Sequence, residues 1–389
     1  MDILIDELDI SETKYQEAEA RYEAVGKWLE RPDSSVRQYS PEVYVQGSFR
    51  LGTVIKPVSE DGEYDIDSVC KLDLKTSQCS QQQLKLLIGK EIKAYVKAQD
   101  MNKPAEEGKR CWTLNYADKS KFHMDILPAI PNASGFRVLL ESKSASSDWT
   151  DDAIGITDNT LPDYDKISID WPVSNPKGYA DWFRMQMSIS TSTIYKRTPD
   201  LMEKYAAVED VPTFRFKTPL QRIIQILKYH RDIRYGDDED KPISIIISTL
   251  AAHAYNNEDD LIIALQNVLP RMLNYIEERD GIRWITNPVN PLENFADKWP
   301  DHPEREKKFY EWHAAATESM ELFLGASAGL QNLNEGLSKI AGDDIAKRVM
   351  SRYGTATLEA RKSGKLKAAK GTATLGVIGT AVKGHNFHG

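Results

Sequence analysis

Two stretches that begin in alternation carry carboxylates on their polar face, and they constrain the fold more than any other feature of the chain. Tyr64 to Leu74 alternates apolar and polar residues, with Asp65 and Asp67 two positions apart. Phe122 to Ile130 alternates again, with Phe122, Met124 and Ile126 on one face and His123, Asp125 and Leu127 on the other. A period of two is that of a half-buried strand, not of a helix. Carboxylates two apart on a strand share a face, with alpha carbons about 6–7 Å apart, so their flexible ends can converge on one or two cations. The surroundings extend the pattern. Val43 and Val45 form a short strand entering the turn Gln46-Gly47-Ser48, and Arg110 to Tyr116 supplies another strand with Trp112, Leu114 and Tyr116 on one face. Asp118-Lys119-Ser120 reads as a turn between the last two strands. Helices are predicted over Ser11 to Leu29, with Tyr15, Ala18, Tyr22, Val25 and Leu29 as its stripe, and over Gln81 to Gln99. The first 130 residues are therefore mixed α and β.

After Leu161 the character changes. Thr218-Pro219-Leu220-Gln221 is a helix start, with Thr at the cap, Pro at the first helical position and Gln three residues after the cap. That helix is predicted to end near Tyr235. Others are predicted over Ile243 to Ala254, Leu261 to Glu278 and Arg305 to Leu324. The expectation is an α+β, two-lobed protein of 389 residues. Residues 1–160 form a mixed lobe whose long N-terminal helix braces both halves. Residues 161–345 form a mainly helical lobe, and residues 346–389 a basic segment ending in a flexible tail.

Composition narrows the function classes. The net charge of −9 argues against a general nucleic-acid coat protein, but it is uneven: from Ile345 to Gly389 nine lysines and arginines stand against one acid, Glu359. No apolar run reaches the roughly 18 residues of a membrane span, and the acidic start Met1-Asp2-Ile3-Leu4-Ile5-Asp6-Glu7 is unlike a signal peptide. A cytoplasmic protein with no membrane partner is expected. Cys70, Cys79 and Cys111 are too few and too scattered for a disulfide framework or a zinc ribbon.

Three strand carboxylates are what two-metal phosphoryl or nucleotidyl transfer needs, since Mg²⁺ prefers a few carboxylates plus substrate phosphates. Asp-x-Asp alone is weak evidence, because Asp163-Tyr164-Asp165 also matches and reads as a solvated turn. The added context is Gly47-Ser48 at a strand-to-helix turn upstream, where glycine permits close approach of the backbone to phosphate. The ordered set is specific where each part alone is not. Arg50 and Thr53 are further candidates for phosphate contact, with a structural role equally open. Tyr64, Trp182, Tyr229 and Tyr255 are candidates for base stacking or for core. The seven histidines show no metal-ligand spacing, and His123 reads as packing.

Gln46-Gly47-Ser48, Asp65-Ile66-Asp67 and Asp125 resemble the signature of the polymerase-β-like nucleotidyltransferase superfamily. The flanking segments narrow the resemblance: Val45 to Leu74, Phe122 to Pro131, Trp171 to Tyr179 with Trp182, Leu220 to Tyr255, and Asn287-Pro-Val-Asn-Pro-Leu-Glu-Asn-Phe295. Together they are similar to the bacterial cGAS/DncV-like nucleotidyltransferases (CD-NTases), which make cyclic oligonucleotide signals in antiphage defence of the CBASS type. The last segment is similar to a motif in the helical lobe of oligoadenylate synthetases. The resemblance implies a synthase joining nucleoside triphosphates, ATP among them, into a cyclic di- or trinucleotide with release of pyrophosphate. It implies two Mg²⁺ ions (Mn²⁺ able to substitute) on Asp65, Asp67 and Asp125, with Asp125 helping to activate the acceptor hydroxyl. Gln46, Gly47, Ser48 and Arg50 would bind substrate, Lys228 would bind phosphate, and Ser244 falls where the family places a serine. The chain lacks the zinc ribbon that the animal DNA sensor uses, so activation by duplex DNA is not expected. The end Gly384-His385-Asn386-Phe387-His388-Gly389 suits coupling of Gly389 by a ubiquitin-activating-like partner, as in some CBASS operons. The alternatives are a template-independent transferase acting on RNA or a small molecule, and a non-catalytic nucleotide-binding scaffold.

Overall fold

The computed structural model describes residues 1–59, 62–116, 121–188, 217–325 and 329–363, with three short strand segments beyond them. Two helices open the chain, α1 (Asp2–Leu8) and α2 (Glu12–Glu30), the second capped by the Ser11 hydroxyl. Then come β1 (Glu42–Val45), the one-turn helix α3 (Gly47–Leu51), β2 (Tyr64–Lys71), α4 (Gln81–Ala98), β3 (Glu106–Glu107), β4 (Trp112–Tyr116), β5 (Phe122–Pro131), α5 (Ala133–Ser142), β6 (Ile154–Ile156) and β7 (Val173–Ser174). Their strands form a seven-stranded mixed sheet of order β1-β2-β5-β4-β3, with β6 paired to β5 and β7 to β6. Alternation does what the sequence predicts. In β2, Tyr64 and Ile66 are buried while Asp65 is exposed and Asp67 half-buried between them. The inward face packs on α2 and α4 through Val25, Leu29, Ile66, Ile88, Trp112 and Met124.

The helical lobe consists of α6 (Pro176–Gln186), α7 (Pro219–Tyr235), α8 (Ser244–Ala254), α9 (Leu261–Met272), α10 (Pro303–Leu324) and α11 (Leu330–Lys362). The predicted capping box at Thr218 is present, with Gln221 as its reciprocal partner. The helix predicted to Glu278 stops at Met272. A short 3-10 turn follows, and Glu277–Arg279 (β8) pairs with Ile282–Trp284 (β9). A second hairpin, Thr286–Asn287 (β10) with Asn290–Asn294 (β11), holds the Asn287–Phe295 motif. Leu273 and Ile276 continue the apolar period past the end of α9, which is why the sequence overextends it.

The bracing predicted for α2 belongs to the segment before it. Leu4, Ile5 and Leu8 of α1 lie in the core of the helical lobe, whereas the buried residues of α2 lie in the core under the sheet. Asp9, between the two helices, pairs with Lys217 and Arg222 and accepts from Gln225 Nε2 at 2.9 Å. Asp9, half-buried, thus anchors the junction of α1 and α2 to α7 and the residue before its cap. The sheet lobe runs beyond residue 160, because β7 still pairs within it. The division between 345 and 346 falls inside α11, whose Ile345, Ala346 and Val349 pack in the helical core. Part of the basic excess faces the acidic N-terminus: Arg348 and Arg352 pair with Glu7, and Arg352 also with Asp6. Where a flexible tail is predicted, Lys367–Ala368 pairs on either side with Leu375–Gly376 and Thr380–Ala381. Gly389 and the predicted turn at 118–120 lie outside the described residues. Among the described residues no helix is long and apolar enough to cross a membrane.

Candidate active site

Strand pairing sets the carboxylates side by side. β2 and β5 run parallel with Asp65 opposite His123 and Asp67 opposite Asp125, and β4 places Thr113 opposite Asp125. Partners in register on neighbouring strands lie about 4.8 Å apart and point to the same face. The Gly47 turn sits against this face, for Gln46 N–H donates to the Asp67 carbonyl at 2.8 Å. Gly47 has φ +59°, and a Cβ there would run into the Asp67 carboxylate. Only glycine lets the turn close on that acid.

A cavity of about 380 Å³ opens over this surface. Gly47, Ser48, Asp65 and Asp67 line it from the sheet side, with Lys228, Arg231 and Ser244 facing them from α7 and α8. Helix α7 grips the segment that follows α3 through three side chains. Gln221 Nε2 donates to Leu51 O at 2.9 Å, Gln225 Nε2 to Val54 O at 2.6 Å and Lys228 Nζ to Thr53 O at 2.9 Å. Lys228 is therefore an interface lysine, 5% exposed, rather than a snorkelling surface one. One of its three donors is used on the backbone, and the others remain for an anion in the cavity. Burial, with Arg231 adding to it, lowers its pKa to about 8.

Arg231 was not singled out from sequence, although it stands one helical turn beyond Lys228. It pairs with Asp232, and its Nη1 donates to Pro242 O at 3.1 Å and to Ser244 Oγ at 2.8 Å. Ser244 is the first residue of α8 but makes no cap bond; its hydroxyl is held by Arg231. Arg50 lies elsewhere. It is buried, 5.9 Å from the Tyr44 ring centroid, and lines a second cavity together with Gln46. Thr53 lines the first cavity, and Tyr64 does so beside it. Trp182, Tyr229 and Tyr255 are core residues of the helical lobe. Asp163 pairs with Lys166 in an exposed turn, as the weak motif there suggests.

The acids do not all behave alike. Burial first, then Asp65 and Asp125, push the Asp67 pKa up to about 6. Asp65 Oδ1 is 2.7 Å from His123 Nε2, whose pKa that bond raises to about 9. His123 is thus an ion-pair partner, contrary to the packing role read from sequence. Asp125 Oδ1 accepts from Thr113 Oγ1 at 2.5 Å, and Asp125 is not on the cavity wall. Among the described residues no three His, Cys, Asp or Glu side chains are gathered around one cation position. The fit to divalent cations is nevertheless good. The donors are hard carboxylate oxygens on one sheet face, and their mutual repulsion at Asp67 is what bound positive charge relieves. A shared cation has to draw Asp65 from His123 and Asp125 from Thr113.

The comparisons with known proteins agree with this geometry. A family model described as the nucleotidyltransferase domain of cyclic GMP-AMP synthase DncV-like proteins matches residues 41–128, the span from β1 to β5 that carries the turn and all three acids. A c-di-GMP synthase of Roseivirga ehrenbergii is 30% identical over 309 residues, covering 77% of this chain and 72% of that protein. The chain belongs to the DncV-like nucleotidyltransferases, the CD-NTases. A second CD-NTase, the cyclic dinucleotide synthase CdnG of Bradyrhizobium diazoefficiens, is 24% identical over 361 residues, 87% of this chain and 79% of that one. The solved structure of CdnG in complex with GTP superposes with a TM-score of 0.66 at 21% identity, covering 90% of this CD-NTase and 97% of the other chain. The shared fold therefore includes the helical lobe, which the family model leaves out. This CD-NTase is accordingly a nucleotidyltransferase.

The lowered pKa of Lys228 gives a pH dependence. A neutral lysine no longer attracts triphosphate, so kcat/KM for nucleotide is expected to fall as pH rises through about 8. In Lys228→Arg the charge persists at high pH, and that fall should disappear in an initial-rate pH profile even if the overall rate is lower.

Proposed function

We propose that this CD-NTase joins two nucleoside triphosphates into a cyclic dinucleotide. The observation that carries the reading is one cavity with two unlike walls: the Gly47-Ser48 turn with Asp65 and Asp67 on one side, and on the other Lys228, Ser244 and Arg231 with its ion-pair partner Asp232, which leaves Lys228, among the described residues, as the uncompensated cation there. The acidic wall suits divalent cations and a reacting hydroxyl. The basic wall suits the polyphosphate of a donor nucleotide. A ribose hydroxyl of the acceptor forms a bond to the α-phosphorus, the bond to the β-phosphate bridging oxygen breaks, and pyrophosphate leaves. A second transfer closes the ring. Ser48 and the turn amides orient the triphosphate, Lys228 and Arg231 hold its outer charge, and Asp125 takes part in removing the hydroxyl proton. Mg²⁺ ions on Asp65, Asp67 and Asp125, with Mn²⁺ able to replace them, would supply the charge that steadies the leaving pyrophosphate and lowers the hydroxyl pKa.

The names of the two relatives, both dinucleotide synthases, support a ring of two over a ring of three. In this reading the product is a second messenger of CBASS-type antiphage defence and is made in the cytoplasm, where the triphosphates are. Coupling through Gly389 rests on the sequence resemblance.

Incubation of the full chain with Mg²⁺ and labelled ATP, GTP, CTP and UTP, followed by phosphatase, tests the proposal. A phosphatase-resistant product with the mass of a cyclic dinucleotide is expected. Linear, phosphatase-sensitive products would identify a template-independent transferase instead, and no pyrophosphate release would identify a scaffold.

A further inference from the structure

We propose that Glu293 reads the base of the acceptor nucleotide and selects guanine. This rests on the transferase reading above and adds a specificity residue to it.

A second cavity of about 280 Å³ adjoins the first and shares Gly47, Leu51, Asp67 and Ile245 with it. A nucleoside seated there has its sugar at Asp67, where the hydroxyl must react, and its base directed away from the acids. The far wall holds Phe295, Asn287 and Glu293. Phe295 is half-buried and offers ring surface to a base. Tyr179 packs edge-on against it, with ring centroids 6.3 Å apart, and the Tyr179 hydroxyl is engaged with Thr249 at 2.8 Å. Tyr179 therefore supplies shape and no base-reading hydrogen bond.

Besides Asp67, two charged side chains line this cavity, buried Arg50 and exposed Glu293, and Glu293 is held in place. Its Oε2 accepts from Asn287 Nδ2 at 2.7 Å, and Asn287 is itself buried, its Oδ1 accepting from Val289 N–H at 3.0 Å. Asn294, next in the chain, accepts from the Ile285 and Ala296 amides and donates to Arg283 O at 2.9 Å. The hairpin that presents the carboxylate is pinned at both ends by buried asparagines. Among the described residues Oε1 has no hydrogen-bond partner.

A carboxylate only accepts. Guanine presents two adjacent donors, N1–H and the 2-amino group, and matches a carboxylate. Adenine turns the N1 lone pair toward it and is repelled. Cytosine and uracil each present one donor on that edge and cannot pair with both carboxylate oxygens.

Two measurements on the full chain and on Glu293→Gln decide the proposal. Gln keeps the volume and still accepts from Asn287, so the hairpin stays in place. In the first, GMP and AMP binding are compared by titration calorimetry without turnover. Wild type is expected to favour GMP by at least about tenfold, the discrimination of one good base-edge pair, and Glu293→Gln to lose that preference. In the second, products from equimolar triphosphates are analysed by mass spectrometry. Guanine is expected in wild-type product, and the ratio of guanine to adenine should fall at least about tenfold in the variant. An unchanged GMP preference in Glu293→Gln, no preference in wild type, or wild-type product without guanine would overturn the proposal. A wild-type GMP preference lost in the variant, together with no transfer from any nucleotide, would uphold the base reader while rejecting the transferase reading.

Discussion

Asp67→Asn is expected to reduce nucleotidyl transfer by at least about 10³-fold and, at the same time, to stabilise the metal-free protein. The first effect follows from the position of Asp67, which alone of the three acids touches the Gly47 turn, both cavities and the neighbouring carboxylates. Losing its charge removes several kcal/mol of transition-state charge stabilisation, and each 1.36 kcal/mol is a factor of ten. The second effect follows from its pKa, raised from 3.8 to about 6 by burial and by Asp65 and Asp125. A carboxyl that binds its proton more tightly when folded disfavours folding once it must ionise. The penalty sets in as pH rises from about 4 to about 6 and is complete above that. The Asn variant does not carry it, so at pH 7.5 in EDTA it should unfold later than wild type, by on the order of 1–2 kcal/mol after allowing for partial solvation. Added Mn²⁺ should stabilise wild type and leave the variant nearly unchanged in a thermal-shift experiment. A variant that is both inactive and less stable in EDTA would mean that Asp67 is a structural acid, not one held in place for cations.

Gly47→Ala is expected to cost at least about 100-fold in transfer. A left-handed φ of +59° is disfavoured for any residue with a Cβ by about 1–2 kcal/mol. The larger problem is the collision with the Asp67 carboxylate, which forces either the turn or the acid to move. A displacement near 1 Å at reacting groups is enough for a hundredfold loss. Gly236→Ala separates the two contributions. Gly236 also has a positive φ, +53°, but nothing lies within 4 Å of a Cβ there. With ψ −124° its backbone is one that side chains rarely adopt, so that variant should lose about 1–3 kcal/mol of stability and retain transfer in the same pyrophosphate-release assay. Equal losses of activity in the two variants would assign the effect to backbone strain alone.

Much of this was legible in the residues, and what was not has identifiable causes. Alternation placed Asp65, Asp67 and Asp125 on strands and on the correct face, because a period of two leaves no other choice. The capping box at Thr218 marked the start of α7 correctly, because Thr, Pro and Gln each act on the first turn alone. The parallel register that sets Asp67 beside Asp125 is a relation between segments about 60 residues apart, and nothing local records it. The same holds for the Gly47–Asp67 contact, for the three side chains by which α7 grips residues 51–54, and for the anchoring of α1 and α2 to α7 at Asp9. α1 is not legible, because seven residues are too few for a periodic signal. Arg231 gives no signal of its own, because an arginine followed by Asp232 has the pattern of ordinary surface charge. Glu293 sat inside a recognised motif, but its chemistry depends on a cavity wall that only the fold assembles.

The central claim is that the acids of β2 and β5 share divalent cations opposite a turn that holds polyphosphate. Anomalous scattering from a crystal grown with Mn²⁺ and a non-hydrolysable nucleoside triphosphate measures this directly. Two Mn²⁺ peaks are predicted among Asp65, Asp67 and Asp125, with Asp65 drawn off His123, Asp125 drawn off Thr113 and the phosphates between Ser48 and Lys228. Ions bound elsewhere, or a triphosphate in the cavity with Asp125 still on Thr113 and no metal beside it, would contradict the account.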